Sequence, residues 1–124
     1  MIFIIDDDRS IKNAFFLLLR SAGFAARAFS SAQEFMDYPD FSNGDCIILD
    51  LRMQGMNGFE LMKKLISEGI HTPVICVTAF DDAKNREKAR ELGSAAYFTK
   101  PVDDQALIEA INRAVHSGKK IKEH

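Results

Sequence analysis

The chain has no tryptophan, two cysteines, three prolines, little net charge and no long hydrophobic run. Each shortage removes a class of function. A formal charge of −2 over 124 residues gives nucleic acid or an anionic membrane no reason to be the main partner. The longest wholly apolar run, Ala14 to Leu19, is far short of the roughly 20 residues of a membrane span. Met1 to Ile5 lacks the basic region and length of a signal peptide, so a cytoplasmic protein is expected. Cys46 and Cys76 form no C-x-x-C, and each sits inside an apolar run, where cysteine acts as a small core hydrophobe. No G-x-G-x-x-G or G-x-x-x-x-G-K-[ST] is present to cradle phosphates, which argues against a flavin or nucleotide carrier. His71, His116 and His124 are not at metal-ligand spacing. Ten phenylalanines without tryptophan supply core bulk rather than a stacking platform.

What is present is an ordinary globular composition, 47% hydrophobic and 27% charged, at a length that predicts one domain. Met1–Ile5 reads as a buried strand ending in Asp6-Asp7-Asp8, followed by a helix from Ser10 to Ala22 with Ile11, Phe15, Leu18 and Ala22 on one face. Ala25–Phe29 is a short strand, and Ser31-Ala32-Gln33-Glu34 is a capping-box match that opens a helix ending before Pro39. Asn43-Gly44 turns into the strand Cys46–Leu49, which runs into Asp50. A loop with Gly55, Asn57 and Gly58 leads into a third helix, Gly58 to Glu68, with Phe59, Met62 and Ile66 on one face and Leu61 and Leu65 beside it. Val74–Thr78 is the fourth strand, Asp81-Asp82 opens a helix running to Leu92, and Ala96–Thr99 is the fifth strand. Lys100-Pro101 precedes a last helix from Asp103 to His116, and residues 117–124 read as a polar, basic, frayed tail.

Five strand-helix repeats with short connections predict an α/β fold with a parallel sheet covered on both faces. This is the doubly wound, flavodoxin-like (βα)5 class, whose strand order is 2-1-3-4-5. Open sheets of this kind place their chemistry at the carboxyl ends of the strands. Those ends carry Asp6, Asp7 and Asp8, then Asp50, then Thr78, then Lys100. Each has an ordinary explanation: Asp7 or Asp8 as a helix cap, Asp50 as a turn residue, Thr78 as a satisfied strand hydroxyl, Lys100 as a solvated lysine. Together those explanations require a coincidence at four of the five strand ends. Crowded carboxylates repel unless a cation offsets them, and oxygen ligands with room for water suit Mg²⁺. A hydroxyl and an ammonium across the same crevice suit an anion, and the combination describes phosphoryl transfer.

The chain resembles the receiver domain of two-component response regulators from Met1 to His116. The matching features are the strand ending in Asp6-Asp7, Asp50-x-x-Met53 with Gly58, Thr78-Ala79 after a buried strand, and Lys100-Pro101. The resemblance implies that residues 1–116 form the receiver domain and 117–124 a tail or the start of a linker. It implies that Asp50 is the phosphoacceptor and that Thr78 and Lys100 contact the phosphoryl oxygens. Mg²⁺ (or Mn²⁺) would be held by Asp7, by Asp6 mainly through water, by Asp50 and by the main-chain carbonyl of Arg52, and Lys100-Pro101 would be cis. The donor would be a phosphohistidine on a sensor histidine kinase or a phosphotransfer protein. The protein would be a switch that assists its own phosphorylation and dephosphorylation, not a turnover enzyme. Tyr97 would swing inward as Thr78 moves, altering the face of helix 4, strand 5 and helix 5 for an output domain, a target protein or a homodimer. No direct nucleic-acid or membrane binding by this domain is implied.

Arg52 and Phe80, two residues past Asp50 and Thr78, sit where the family tunes phosphoryl lifetime. Gln54 stands where receivers commonly carry proline, which loosens the loop by roughly 0.4–1 kcal/mol at most. Helix 4 is weakly anchored: its i,i+4 pairs Lys84/Lys88, Arg86/Arg90 and Glu87/Glu91 are like-charged, partly offset by Lys84/Glu87 and Lys88/Glu91. That makes it a candidate movable element or simply a solvated face. The rival reading is a phosphatase of the haloacid-dehalogenase type, with Asp6 as nucleophile and Asp8 as acid/base in Asp6-Asp7-Asp8-Arg9-Ser10. It leaves Asp50 idle and lacks an acidic pair after Lys100.

Overall fold

The computed structural model describes residues 1–53 and 55–122, with side chains described to 116. Gln54, where the loosened loop is expected, and residues 123–124 lie outside them. Strands β1 (Ile2–Ile5), β2 (Ala26–Phe29), β3 (Cys46–Asp50), β4 (Val74–Thr78) and β5 (Ala96–Thr99) alternate with helices α1 (Arg9–Ser21), α2 (Ala32–Asp37), α3 (Gly58–Ser67), α4 (Ala83–Glu91) and α5 (Asp104–Lys122). All strand pairs are parallel and the order is β2-β1-β3-β4-β5, as the alternation predicted.

Because successive strand side chains point to opposite faces, the apolar runs feed two cores at once. Phe3, Ile5, Ile47, Leu49, Val74 and Cys76 pack under α2, α3 and α4, while Ile2, Ile4, Cys46, Ile48, Ile75 and Val77 pack under α1 and α5. Several of the phenylalanines are concentrated at one end of the first core. Phe35 lies edge-on to Phe3, Phe29 and Phe41 at 5.4 to 5.6 Å, an arrangement that aligns ring edges with ring faces.

Helix starts follow their caps. Asp8, Ser31, Asn57 and Asp82 each accept a hydrogen bond from the backbone N–H three residues on. Helix ends share one device: Gly23, Gly69 and Gly93 take positive φ, and the next residue's N–H bonds back to Leu19, Leu65 and Ala89 respectively.

Three sequence expectations need correction. Ile66 is 55% exposed, because the inward stripe of α3 runs Gly58, Leu61, Met62, Leu65 and turns past it. On α1 the buried residues are Phe15 and Leu19, with Ala22 exposed. The last helix does not stop at His116: its backbone remains helical through Lys122, because one glycine at 118 is too weak a breaker against the helix-forming lysines that follow. Among the described residues no helix is long and apolar enough to cross a membrane.

One glycine sets how closely α3 approaches the end of β3. A Cβ on Gly58 would meet the Leu51 Cα at 2.8 Å and the Asp50 carbonyl oxygen at 2.9 Å, both backbone atoms that cannot step aside. The Gly58 N–H also donates to the Leu51 carbonyl at 3.2 Å, which closes the loop between them. Gly58→Ala is therefore expected to lower unfolding stability by about 1–3 kcal/mol in urea titration. An unchanged midpoint would show that α3 can slide away from β3 freely.

Candidate functional site

The parallel register carries the strand ends to one rim. β1 and β3 are adjacent, so Asp6, one residue past β1, and Asp50, the last of β3, face the same crevice. Both are buried, at 1% and 5% exposure, whereas Asp7 is exposed. One carboxylate oxygen from each of Asp6, Asp7 and Asp50 lies within 4.8 Å of the other two. Lys100 reaches in from β5, where its backbone N–H donates to the Thr78 carbonyl at 2.8 Å. Its Nζ donates to Asp6 Oδ2 at 2.9 Å and lies 3.5 Å from Asp50 Oδ2.

The remaining carboxylate oxygens are held by the backbone. Asp6 Oδ1 accepts from the Asp8 N–H at 2.8 Å, and Asp50 Oδ1 from the Arg52 N–H at 3.1 Å. These bonds orient the side chains without balancing the charge: the two buried carboxylates, Asp6 and Asp50, share one ammonium. Burial and the neighbouring Asp6 push the Asp50 carboxyl up to about 6, against the lowering pull of the Arg52 N–H and Lys100. Lys100 goes up as well: burial works against its charge, but the hydrogen bond and charge of Asp6, with Asp50 behind it, outweigh that. An all-oxygen donor set with surplus negative charge fits a hard divalent cation that keeps part of its water, as Mg²⁺ does.

Thr78 is fully buried, and its hydroxyl accepts from the Phe80 N–H at 3.1 Å and donates to the Phe80 carbonyl at 3.4 Å. The hydroxyl is thus committed to the β4–α4 loop. Arg52 and Phe80, half-turned to solvent from the two loops, are stacked with the guanidinium 4.1 Å from the ring centroid. A cavity of about 410 Å³ opens beside them, lined by Asp7, Arg52, Met53, Asn57, Phe59 and Asn85 among others. The Tyr97 ring packs against the core under α3 and α4, with its hydroxyl buried and without a hydrogen-bond partner among the described residues. Burial raises its phenol, helped by Asp81 and opposed by Arg86. The Lys100-Pro101 bond is cis, as expected.

Asp6, Asp7, Asp50, Arg52, Thr78, Phe80 and Lys100 thus lie on this rim, and Tyr97 on the face beside it. Sequence reasoning missed Asn85 and Arg86 of α4 and the stacking of Arg52 on Phe80. A polar helix whose one buried residue is Ala89 must be held by something other than apolar packing, and that was the available signal.

Comparison with known proteins agrees with this fold. The family model described as the response regulator receiver domain matches residues 2–112. The chain is similar to the transcriptional regulatory protein FixJ of Azorhizobium caulinodans, 36% identical over 92% of this chain and 54% of that protein. Among solved structures it is similar to the amino-terminal part of FixJ, with a TM-score of 0.84 and 34% identity over 93% of this chain and 92% of that one. A response regulator receiver protein from Burkholderia phymatum superposes with a TM-score of 0.81 and 39% identity, over 93% of this chain and 94% of that one. The chain spans about half the length of the curated relatives it matches.

The raised Asp50 carboxyl has a measurable cost. Its folded pKa, about 6, lies above the ordinary 3.8, so the folded state binds the proton more tightly than the unfolded chain. The penalty is full above pH 6, shrinks as pH falls toward 3.8, and is gone below it. In metal-free buffer Asp50→Asn is expected to be more stable than the wild type by about 1–2 kcal/mol at pH 7.5, after allowing for solvent at the crevice mouth, and equal to it below about pH 4. Thermal or urea unfolding at both pH values measures this. A gain that persists in acid would assign the effect to packing instead.

Proposed function

Because the chain belongs to the receiver-domain family of two-component response regulators, whose general role is a phosphorylation-controlled signalling switch, we propose that Asp50 is its phosphoacceptor. The observation that supports this most is the pair of buried carboxylates, Asp6 and Asp50, sharing the Lys100 ammonium. With a carboxyl near 6, Asp50 is mostly ionised at pH 7 and above, which gives it an unprotonated oxygen whose lone pair can attack.

The Asp50 carboxylate attacks the phosphorus of a phosphohistidine in line: the new O–P bond forms as the P–N bond breaks, and the imidazole leaves. Lys100 neutralises charge on the phosphoryl oxygens, and the Thr78 hydroxyl turns from Phe80 to donate to one of them. Asp7, Asp50, the Arg52 carbonyl and, mainly through water, Asp6 would hold Mg²⁺, which would supply positive charge to the transferring group. Water later hydrolyses the acyl phosphate, and the Arg52–Phe80 stack beside the site limits its access. Tyr97 carries the change to the face of α4, β5 and α5. New charge-assisted bonds to a phosphoryl group are worth enough for a hundredfold population shift, about 2.7 kcal/mol.

The donor is a sensor histidine kinase or a phosphotransfer protein. A mostly apolar cavity of about 420 Å³ beside Lys100, lined by Ile11, Ala14, Phe15, Ala79, Pro101 and Val102, supports its docking there. Residues 1–116 constitute the receiver unit, and its output is an attached domain, a target protein or a homodimer through α4, β5 and α5. The names of the relatives favour a transcriptional output.

Intact mass after incubation with acetyl phosphate and Mg²⁺ tests the site. The expected result is a base-labile adduct on the wild type that needs the metal and is absent from Asp50→Ala. An adduct that survives Asp50→Ala and vanishes in Asp6→Ala would instead make Asp6 the nucleophile, as in the phosphatase reading.

A further inference from the structure

Helix α4 is docked by cations laid on aromatic rings. Its one buried residue is Ala89, yet Lys88 lies 4.9 Å from the Phe59 ring centroid on α3, and Arg86 lies 4.9 Å from the Tyr97 ring centroid on β5. Arg86 is not left to wander over that ring. Its Nη2 donates to both carboxylate oxygens of Asp81, at 2.9 and 2.8 Å.

An ion pair between two exposed side chains normally matters little. Here its position gives it leverage. The Tyr97 hydroxyl is buried and unbonded among the described residues, so no hydrogen bond retains the ring in this place. An outward rotamer would return that hydroxyl to water. What opposes the outward rotamer is packing against the core on one side and the Arg86 guanidinium over the ring.

We propose that Arg86, gripped by Asp81 and laid across Tyr97, is a positioning residue that holds Tyr97 inward and ties it to the β4–α4 loop. The tie follows from chain order. Asp81 directly follows Phe80, whose N–H is held by the Thr78 hydroxyl at 3.1 Å. Thr78 turning from Phe80 to meet a phosphoryl group therefore moves the segment that anchors Arg86. Arg86 thus sets how much of the Tyr97-inward population exists before phosphorylation, and how far that population shifts afterwards. This rests on the reading of Tyr97 as the switch residue of a receiver.

The test is made on protein without phosphodonor, so its outcome is independent of whether Asp50 accepts phosphate. Tyr38→Phe leaves Tyr97 as the sole tyrosine, because the chain has two. With 3-fluorotyrosine incorporated, its ¹⁹F resonance reports whether the ring is buried or solvated. Arg86→Ala is expected to move the resonance at least about half of the way toward the solvated value. Arg86→Lys should fall between the two, since a lysine can lie over the ring but lacks the planar guanidinium that stacks on it while Nη2 is held by Asp81. Asp81→Asn should move it in the same direction as Arg86→Ala. An unchanged unfolding midpoint across the series would establish that the change is local. A resonance that stays at the wild-type position in Arg86→Ala overturns the proposal, as does an Arg86→Lys shift equal to that of alanine.

Discussion

Lys100 holds two buried carboxylates on a single ammonium, and a third carboxylate stands within 4.8 Å of both. That imbalance organises the rim of the sheet. Isolated buried charges are expensive, so Asp6 and Asp50 are tolerable only because Lys100 and the backbone N–H groups of Asp8 and Arg52 meet them. The pairing is incomplete, and the deficit appears as a raised Asp50 carboxyl. A site kept short of positive charge is primed for a divalent cation.

The rest of the fold serves to make that imbalance rigid. Parallel pairing of β1 with β3 sets the two aspartates side by side, and the Lys100 N–H bond to Thr78 ties the ammonium to the neighbouring strand. Gly58 lets α3 close against Leu51 and the Asp50 carbonyl. In contrast, the β4–α4 side is held lightly, by the Thr78 hydroxyl on Phe80 and by cations on rings. Rigid carboxylates beside a lightly held loop suit a switch: the first part recognises, and the second part responds.

Much of this was legible in the chain. The alternation of apolar runs with amphipathic helices specifies the sheet order, and the polar residue ending each run specifies the rim, because both follow from local periodicity and one topological rule. Asp6, Asp50, Thr78 and Lys100 were readable for that reason. Ile66 and the end of α5 were misread because periodicity fixes a face only to within a residue or so, and a lone glycine does not decide a helix end. That helix 4 lacks an apolar anchor was readable, but the partners of Arg52 and Arg86, the Phe80 and Tyr97 rings, were not. Each pair joins different elements, and its geometry depends on rotamers that no local pattern encodes. The direction of the Thr78 hydroxyl belongs to the same class.

A Mg²⁺ titration of the metal-free protein followed by amide NMR tests most directly whether the crowded carboxylates form a cation site. One saturable site is expected, shifting the Leu51 and Arg52 amides and weakened at least about tenfold in Asp7→Asn. Shifts that never saturate, or an affinity unchanged in Asp7→Asn, would contradict it.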